Sequence, residues 1–145
     1  LSWLTILKRM PDYHLLFADF DPVKLIEFDE WQIEQLLKDS RIIRNRLKVL
    51  AIIQNARAFL ALQQQGISFS EWIWQFVGGK PIVNQWQQRS DVPVSTPQAE
   101  AMSKALKKAG FKFVGPTICY AYMQAVGMVN DHLIDCPWHA DCNHA

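Results

Sequence analysis

The chain has 145 residues, of which 50% are hydrophobic, 20% are charged and six are Trp. This composition excludes a disordered chain and a protein of many domains. Fifteen Lys and Arg residues against fourteen Asp and Glu residues leave a formal charge of +1, so a basic binding site must be local. Three Cys residues fit a reducing compartment better than a disulfide framework, with metal ligation as the competing use. We expect one cytoplasmic globular domain over residues 1–145, without a signal peptide or a membrane span.

Apolar residues recur at helical spacing almost throughout, which predicts an all-α fold. The predicted helices cover, in chain order, residues 1–10, 22–28, 30–39, 45–65, 71–77 and 97–109, and a last one begins at residue 116. Asp21, Ser70 and Thr96 are the expected N-caps of the second, fifth and sixth helices. Residues 80–97 carry three prolines and predict a long irregular connection.

The sequence also predicts the surroundings of several apolar side chains and of four arginines. The last helix carries one apolar side formed by Ile118, Ala121, Tyr122 and Ala125. Core positions are expected for Trp31, Trp72, Trp74 and Phe76, and Cys119 reads as a small buried hydrophobe. Arg41, Arg44, Arg46 and Arg57 either contact phosphate or pair with Asp39 and Glu34.

The last two helices are joined by a short segment with the sequence Gly-Phe-Lys-Phe-Val-Gly-Pro-Thr, residues 110–117. Its two glycines permit positive φ angles, and the start of the following helix leaves backbone N–H groups available to an anion. Nearby stand Lys104, Lys107, Lys108 and Lys112. The segment therefore forms either a seat for DNA phosphates or an ordinary helical hairpin with a solvated lysine face.

His132 and Cys136 stand four residues apart, a spacing that suits half of a tetrahedral zinc site on one helical turn. His139 and Cys142 continue the series and offer a local set of four ligands. The alternative is that His139, Cys142 and His144 belong to a loose tail.

Four stretches of the chain resemble the bacterial DNA-3-methyladenine glycosylase I family in collinear order: residues 1–3, 42–46, 52–58 and 102–132. The resemblance implies a helical bundle of the helix-hairpin-helix DNA glycosylase type, with its hairpin at about residues 97–127. It also implies a monofunctional N-glycosyl hydrolase of base excision repair, which flips N3-methyladenine out of alkylated double-stranded DNA and excises it. A monomer is expected.

Site residues follow from the same resemblance. Trp3 is assigned to the base pocket, and so is Tyr120, with Tyr122 as the alternative tyrosine and core packing at least as plausible for either. DNA contacts are assigned to Leu1, as an apolar wedge, and to Lys108, Gly110, Lys112, Val114, Gly115 and Thr117. His132 and Cys136 are the C-terminal ligand pair of a structural zinc. The other zinc ligands and a base-binding Glu are expected in a segment upstream of Leu1.

No catalytic residue can be assigned from the sequence. Many relatives with this fold carry an Asp at the position where this chain has Asn130, and an amide cannot stabilise a cationic transition state as a carboxylate does. Asp131 is expected to point elsewhere, in a role beside the zinc ligand. The alternatives to a glycosylase are a non-catalytic helix-hairpin-helix DNA-binding module and a zinc-stabilised interaction domain.

Overall fold

The computed structural model describes residues 2–141, with the side chain of Asp141 excepted. These residues form two compact units. The first comprises residues 2–65 together with Gly110–Lys112, and the second comprises Gly66–Ala109 and residues 113–141. Within the described residues, no helix is both long enough and apolar enough to cross a membrane.

Four helices build the first unit: α1 (Trp3–Leu16), α2 (Pro22–Leu25), α3 (Glu30–Lys38) and α4 (Arg46–Gln64). Each begins at a side-chain cap, since the side chains of Ser2, Asp21, Asp29 and Asn45 accept backbone N–H groups of the first turns. Pro22 stands at the first helical position of α2, where its missing N–H is not needed.

The core of the first unit consists of apolar side chains from α2, α3, α4 and the connecting segments: Phe17, Leu25, Leu36, Ile42, Val49 and Ala56. Tyr13 packs on this core and stacks on Phe17 with ring centroids 5.7 Å apart. Its hydroxyl accepts the backbone N–H of Ile43 at 3.0 Å. The ring therefore anchors the loop before α4 to α1.

The second unit contains α5 (Phe69–Trp74), β1 (Ile82–Val83), α6 (Pro97–Lys108), α7 (Pro116–Ala125), β2 (Val129–Asn130) and α8 (Trp138–Asp141). The two strands pair in parallel, with Ile82 opposite Val129 and Val83 opposite Asn130. Thr96 caps α6 by accepting the N–H of Ala99, as predicted. The buried side chains of this unit include Met102, Leu106, Cys119, Tyr120, Met123 and Met128.

The mostly helical architecture confirms the predicted class, but the small parallel sheet was not predicted, because two-residue strands carry no alternating pattern. Helix α1 continues through Pro11 to Leu16, beyond the predicted end. Ser68 caps α5, so the assignment of Ser70 as its cap is wrong.

Two predictions about packing are also wrong. Helix α7 buries Cys119, Tyr120 and Met123, whereas Ile118 and Tyr122 of the predicted apolar side are exposed. Trp31 is 68% exposed and does not belong to the core. The buried state expected for Cys119 is confirmed.

Candidate functional site

The segment between α6 and α7 has two residues with left-handed backbone angles, and side chains bind its backbone. Gly110 has a φ of +100° and Phe113 has a φ of +58°, both in the left-handed region that most residues avoid. The buried Ser103 hydroxyl donates to the carbonyl of Val114 at 2.6 Å, and the Cys119 thiol lies 3.3 Å from the same oxygen. Helix α7 then begins after Gly115 without a side-chain cap.

Two neighbouring amides of α4 hold the Gly110–Lys112 part of this segment, which belongs to the same unit as α4. The Gln54 side chain donates to the Gly110 carbonyl at 3.2 Å. Asn55 accepts the N–H of Lys112 at 2.7 Å and donates to the Lys112 carbonyl at 3.2 Å. Sequence reasoning did not single out either residue as a site residue.

The predicted phosphate-binding residues differ in their exposure. Lys108, Lys112 and Thr117 are exposed, and Gly110, Val114 and Gly115 are half-buried. Among residues 2–141, none of the lysines of α6 or of the following segment pairs with a carboxylate. Their ammonium groups are therefore available to an external anion.

Two of the four arginines left open by the sequence are ion-paired in the first unit. Arg41 contacts Asp39 at 2.7 Å, and Arg46 contacts Glu34 at 2.6 Å. The side-chain hydrogen bond from Arg41, together with one from its backbone N–H, lowers the pKa of Asp39 to about 2. These two arginines are engaged within the chain.

A cleft of about 590 Å³ lies within the second unit. Its walls bring together four residues that sequence reasoning considered, namely Thr117, Tyr120, His132 and Cys136, and one that it directed elsewhere, Asp131. Tyr120 is only 1% exposed, so its ring forms part of the core behind the cleft wall. Core packing is therefore confirmed for this tyrosine, and its place in a base pocket stays a prediction.

Asp131 is the centre of a hydrogen-bond network in this cleft. Its Oδ1 accepts from the Asn84 amide and the Trp86 indole, both at 2.7 Å. Its Oδ2 accepts from the Tyr120 hydroxyl and from the Gln124 amide, the latter at 3.0 Å. Four donors fill the four lone-pair sites of one carboxylate.

The network controls the ionisation of both partners. Burial disfavours the charged form of Asp131, but the hydrogen bonds from Tyr120, Trp86, Gln124 and Asn84 outweigh it and lower the pKa of this carboxyl. Burial and the adjacent carboxylate raise the pKa of Tyr120. Asp131 is thus an anion that accepts, and Tyr120 a neutral phenol that donates. Asp131 lines the cleft together with His132 and Cys136, and the role expected for it beside a zinc ligand stays a prediction.

Asn130 has a structural position. It is 2% exposed, its amide donates to the His139 carbonyl at 2.6 Å, and its oxygen accepts the N–H of His132 at 3.2 Å. Both ends of the side chain are therefore used to hold the segment that follows β2.

His132 and Cys136 lie in the irregular segment between β2 and α8, so the predicted helical turn is wrong, but their Nδ1 and Sγ atoms are 3.8 Å apart. His139 is not part of a loose tail, because its Nε2 lies 2.8 Å from the Asn84 carbonyl and its own carbonyl is bound by Asn130. Within residues 2–141, no cluster of three or more His, Cys, Asp or Glu side chains has the arrangement of a metal site. Cys142 and His144 lie outside the described residues.

The two remaining predicted site residues belong to the beginning of the chain. Trp3 is the first residue of α1 and is 81% exposed. Leu1 lies outside the described residues.

Sequence reasoning missed the partners of Asp131. Asn84 and Trp86 come from the proline-rich connection that carried no periodic signal, and more than forty residues separate them from Asp131. Because the two-residue strand β2 carries no alternating pattern, the sequence held no signal that marks Asp131 as their acceptor.

Comparison with known proteins gives consistent results. Residues 1–140 match the sequence model of a family described as "Methyladenine glycosylase". The chain is 51% identical over 136 residues to a protein of Escherichia coli (strain K12) named DNA-3-methyladenine glycosylase 1, a match that covers 94% of this chain and 73% of that protein.

Solved structures give the same result. A crystal structure of a 3-methyladenine DNA glycosylase I shares 50% identity and a TM-score of 0.91, with 94% of this chain and 75% of that chain covered. A second, a variant of a 3-methyladenine DNA glycosylase I in complex with 3-methyladenine, has 39% identity and a TM-score of 0.89, with coverages of 94% and 74%.

Proposed function

This chain belongs to the methyladenine glycosylase family, and from that premise we propose that it excises 3-methyladenine from alkylated DNA in base excision repair. The observation that carries the proposal is the similarity, over nearly the whole chain, to an enzyme structure that holds 3-methyladenine. Because the substrate is chromosomal DNA, we place the activity in the cytoplasm, with a monomer acting on double-stranded DNA.

We propose that the α6–α7 segment is a helix-hairpin-helix that holds the DNA backbone. The half-buried Gly115 leaves the first turn of α7 without a side-chain cap, so its N–H groups and dipole favour an anion. Lys108, Lys112 and Thr117 expose further donors, and Gly110 and Val114 shape the turn. Such contacts position the protein on DNA without reading its sequence.

Base recognition is assigned to an exposed aromatic face. Trp3 presents an indole that is 81% exposed, and an indole face attracts a cationic ring. Leu1, just before it in the chain, is the proposed apolar wedge for the space that the flipped nucleotide leaves. Tyr120 lines the cleft with its hydroxyl fixed by Asp131, so we assign it to the wall of the site and not to direct proton transfer.

The chemistry requires little acid catalysis from the protein. When the glycosidic bond breaks, its electron pair moves to the base and neutralises the positive charge of N3-methyladenine. Water then adds to C1′ of the sugar and loses a proton. The absence of an acid at position 130, where this chain has a buried Asn, is therefore compatible with activity on such a substrate. Selection and flipping of the base supply much of the catalysis.

We propose that His132 and Cys136 are two ligands of a structural zinc ion. Tetrahedral zinc with one sulfur and one nitrogen ligand sets these atoms about 3.6 Å apart, close to the 3.8 Å between Cys136 Sγ and His132 Nδ1. When bound, the zinc would cross-link the segment after β2 and raise its stability. A thermal unfolding series tests this: we expect zinc to raise the Tm of the wild type but not that of Cys136→Ser. No rise in either protein contradicts the assignment.

The function is tested by incubating the chain with duplex DNA methylated by a simple alkylating agent and measuring free 3-methyladenine by chromatography. We expect release of the free base from the DNA. Salt-dependent DNA binding without release would favour the non-catalytic module, for which the amide at Asn130 is the motivating observation. Reversal of charge at Lys107 and Lys108 should weaken binding in either case.

A further inference from the structure

One side chain binds both the backbone N–H and the backbone carbonyl of Lys112. Asn55 of α4 accepts the N–H of Lys112 at 2.7 Å and donates to the Lys112 carbonyl at 3.2 Å. One residue earlier on α4, Gln54 donates to the carbonyl of Gly110 at 3.2 Å. The backbone of Gly110–Lys112 therefore makes three hydrogen bonds with the side-chain amides of two consecutive residues.

This pair of hydrogen bonds requires a side-chain carboxamide at the distance from the backbone that Asn provides. A carboxamide carries an acceptor and a donor a fixed distance apart, so it can bind the N–H and the C=O of one residue as a neighbouring strand would. An alanine provides neither group, and a serine hydroxyl cannot reach both. Asn55 thus replaces a missing backbone partner in a segment too short to form regular structure.

The segment needs such support because its backbone is in an unfavourable conformation. Gly110 at +100° and Phe113 at +58° flank the bound residues, and a left-handed φ is costly for Phe. Without the amide contacts the segment would populate other backbone conformations. The Lys112 side chain, which is exposed, would then no longer point in one direction.

We propose that Asn55 is a positioning residue for DNA binding, which fixes the Lys112 backbone so that the Lys112 ammonium meets a DNA phosphate. This inference rests on the proposed function, since it assumes that the hairpin contacts DNA. The Lys112 N–H is already bound by Asn55, so the contribution of this residue to DNA comes from its side chain. Asn55 itself acts only through Lys112.

The test is a double-mutant cycle on the binding of an undamaged duplex, followed by fluorescence anisotropy at fixed salt. Asn55→Ala should weaken binding by about threefold to tenfold in the wild-type background, the effect of one net hydrogen bond and a misplaced charge. In the Lys112→Ala background the same substitution should change binding by less than about twofold. Gln63→Ala, which removes an exposed amide from the same helix, serves as the matched control.

Two further readouts separate positioning from a general loss of stability. Amide hydrogen exchange at Lys112 should accelerate in Asn55→Ala and not in Gln63→Ala. Base release should show a raised KM for DNA with kcat nearly unchanged, because the groups that hold the base are untouched. If Asn55→Ala does not fold, Asn55→Ser replaces it in every arm.

An equal loss of affinity in both backgrounds, or no loss in either, overturns the inference. If the wild type releases base and this result is obtained, only the role of Asn55 fails. If the wild type binds DNA and the cycle shows coupling but no base is released, the positioning role stands and the proposed glycosylase activity fails.

Discussion

Replacing Asp131 with Ala should destabilise the second unit strongly, because four side-chain donors lose their acceptor at once. The exposed Gln124 amide can turn to water, and the half-buried Asn84 amide can reorient. The Tyr120 hydroxyl and the Trp86 indole N–H remain without a partner inside the protein. The Tyr120 hydroxyl is buried, and a buried donor left unsatisfied costs about 1–3 kcal/mol, whereas the half-buried indole N–H costs less; the free energy of unfolding should therefore fall by about 2–4 kcal/mol.

Asp131→Asn should be much milder, and the structure shows why. An Asn oxygen in place of Oδ1 would still accept from Trp86, which can only donate. Its NH₂ group would then face Tyr120, whose hydroxyl can rotate to accept, and Gln124, whose amide can turn. Only the charge assistance is lost, which we expect to lower the free energy of unfolding by about 1–2 kcal/mol.

Urea unfolding followed by far-ultraviolet circular dichroism measures both variants without relying on Trp86, whose own fluorescence would change. Asp135→Ala removes an exposed carboxylate from the same segment and should stay within about 0.5 kcal/mol of the wild type. If Asp131→Ala lies within about 1 kcal/mol of the wild type, or if the Ala and Asn variants are equally destabilised, the network does not carry the stability assigned to it.

Three further predictions concern single contacts. Gly110→Ala should lower the free energy of unfolding by about 1–2 kcal/mol, because its φ is +100°, even though the added Cβ would have room, 3.5 Å from its nearest neighbour. Gly115→Ala should cost less than about 0.5 kcal/mol, and equal shifts in Tm for the two variants would contradict this. Ser103→Ala should cost about 1–2 kcal/mol in urea unfolding by removing the 2.6 Å bond to Val114, and an unchanged midpoint would argue against that bond. The Asp39 carboxyl should titrate by NMR near its pKa of about 2 and return toward 3.8 in Arg41→Gln; its contribution to stability is present above about pH 4 and is lost as the pH falls through the native pKa.

Helix positions were predictable wherever the signal is local. Thr96 followed by Pro97 marked the start of α6, and Asp21 followed by Pro22 marked the start of α2. In both cases the side-chain oxygen binds an N–H two or three residues later, so the sequence alone contains both partners. The ligand spacing of His132 and Cys136 is local in the same sense.

The buried side of α7 was not predictable from spacing. Ile118, Cys119, Tyr120, Tyr122 and Met123 make this helix apolar on almost every side. A 3.6-residue period cannot choose between overlapping apolar stripes, and the choice depends on which neighbours the helix meets. The structure buries the stripe of Cys119, Tyr120 and Met123 and exposes the other.

The sequence by itself determined the helical class, the caps of α2 and α6, the family and the residues of the α6–α7 segment, because these depend on contacts between near neighbours or on long collinear similarity. Only the tertiary structure decided that Asp131 lines the cleft and accepts four hydrogen bonds there, and that Asn55 holds Lys112. Asn84 and Trp86 lie more than forty residues from Asp131 along the chain, and Asn55 lies 57 positions from Lys112. The hydrophobic periodicity of a sequence cannot predict contacts between residues so far apart, since tertiary packing alone brings them together.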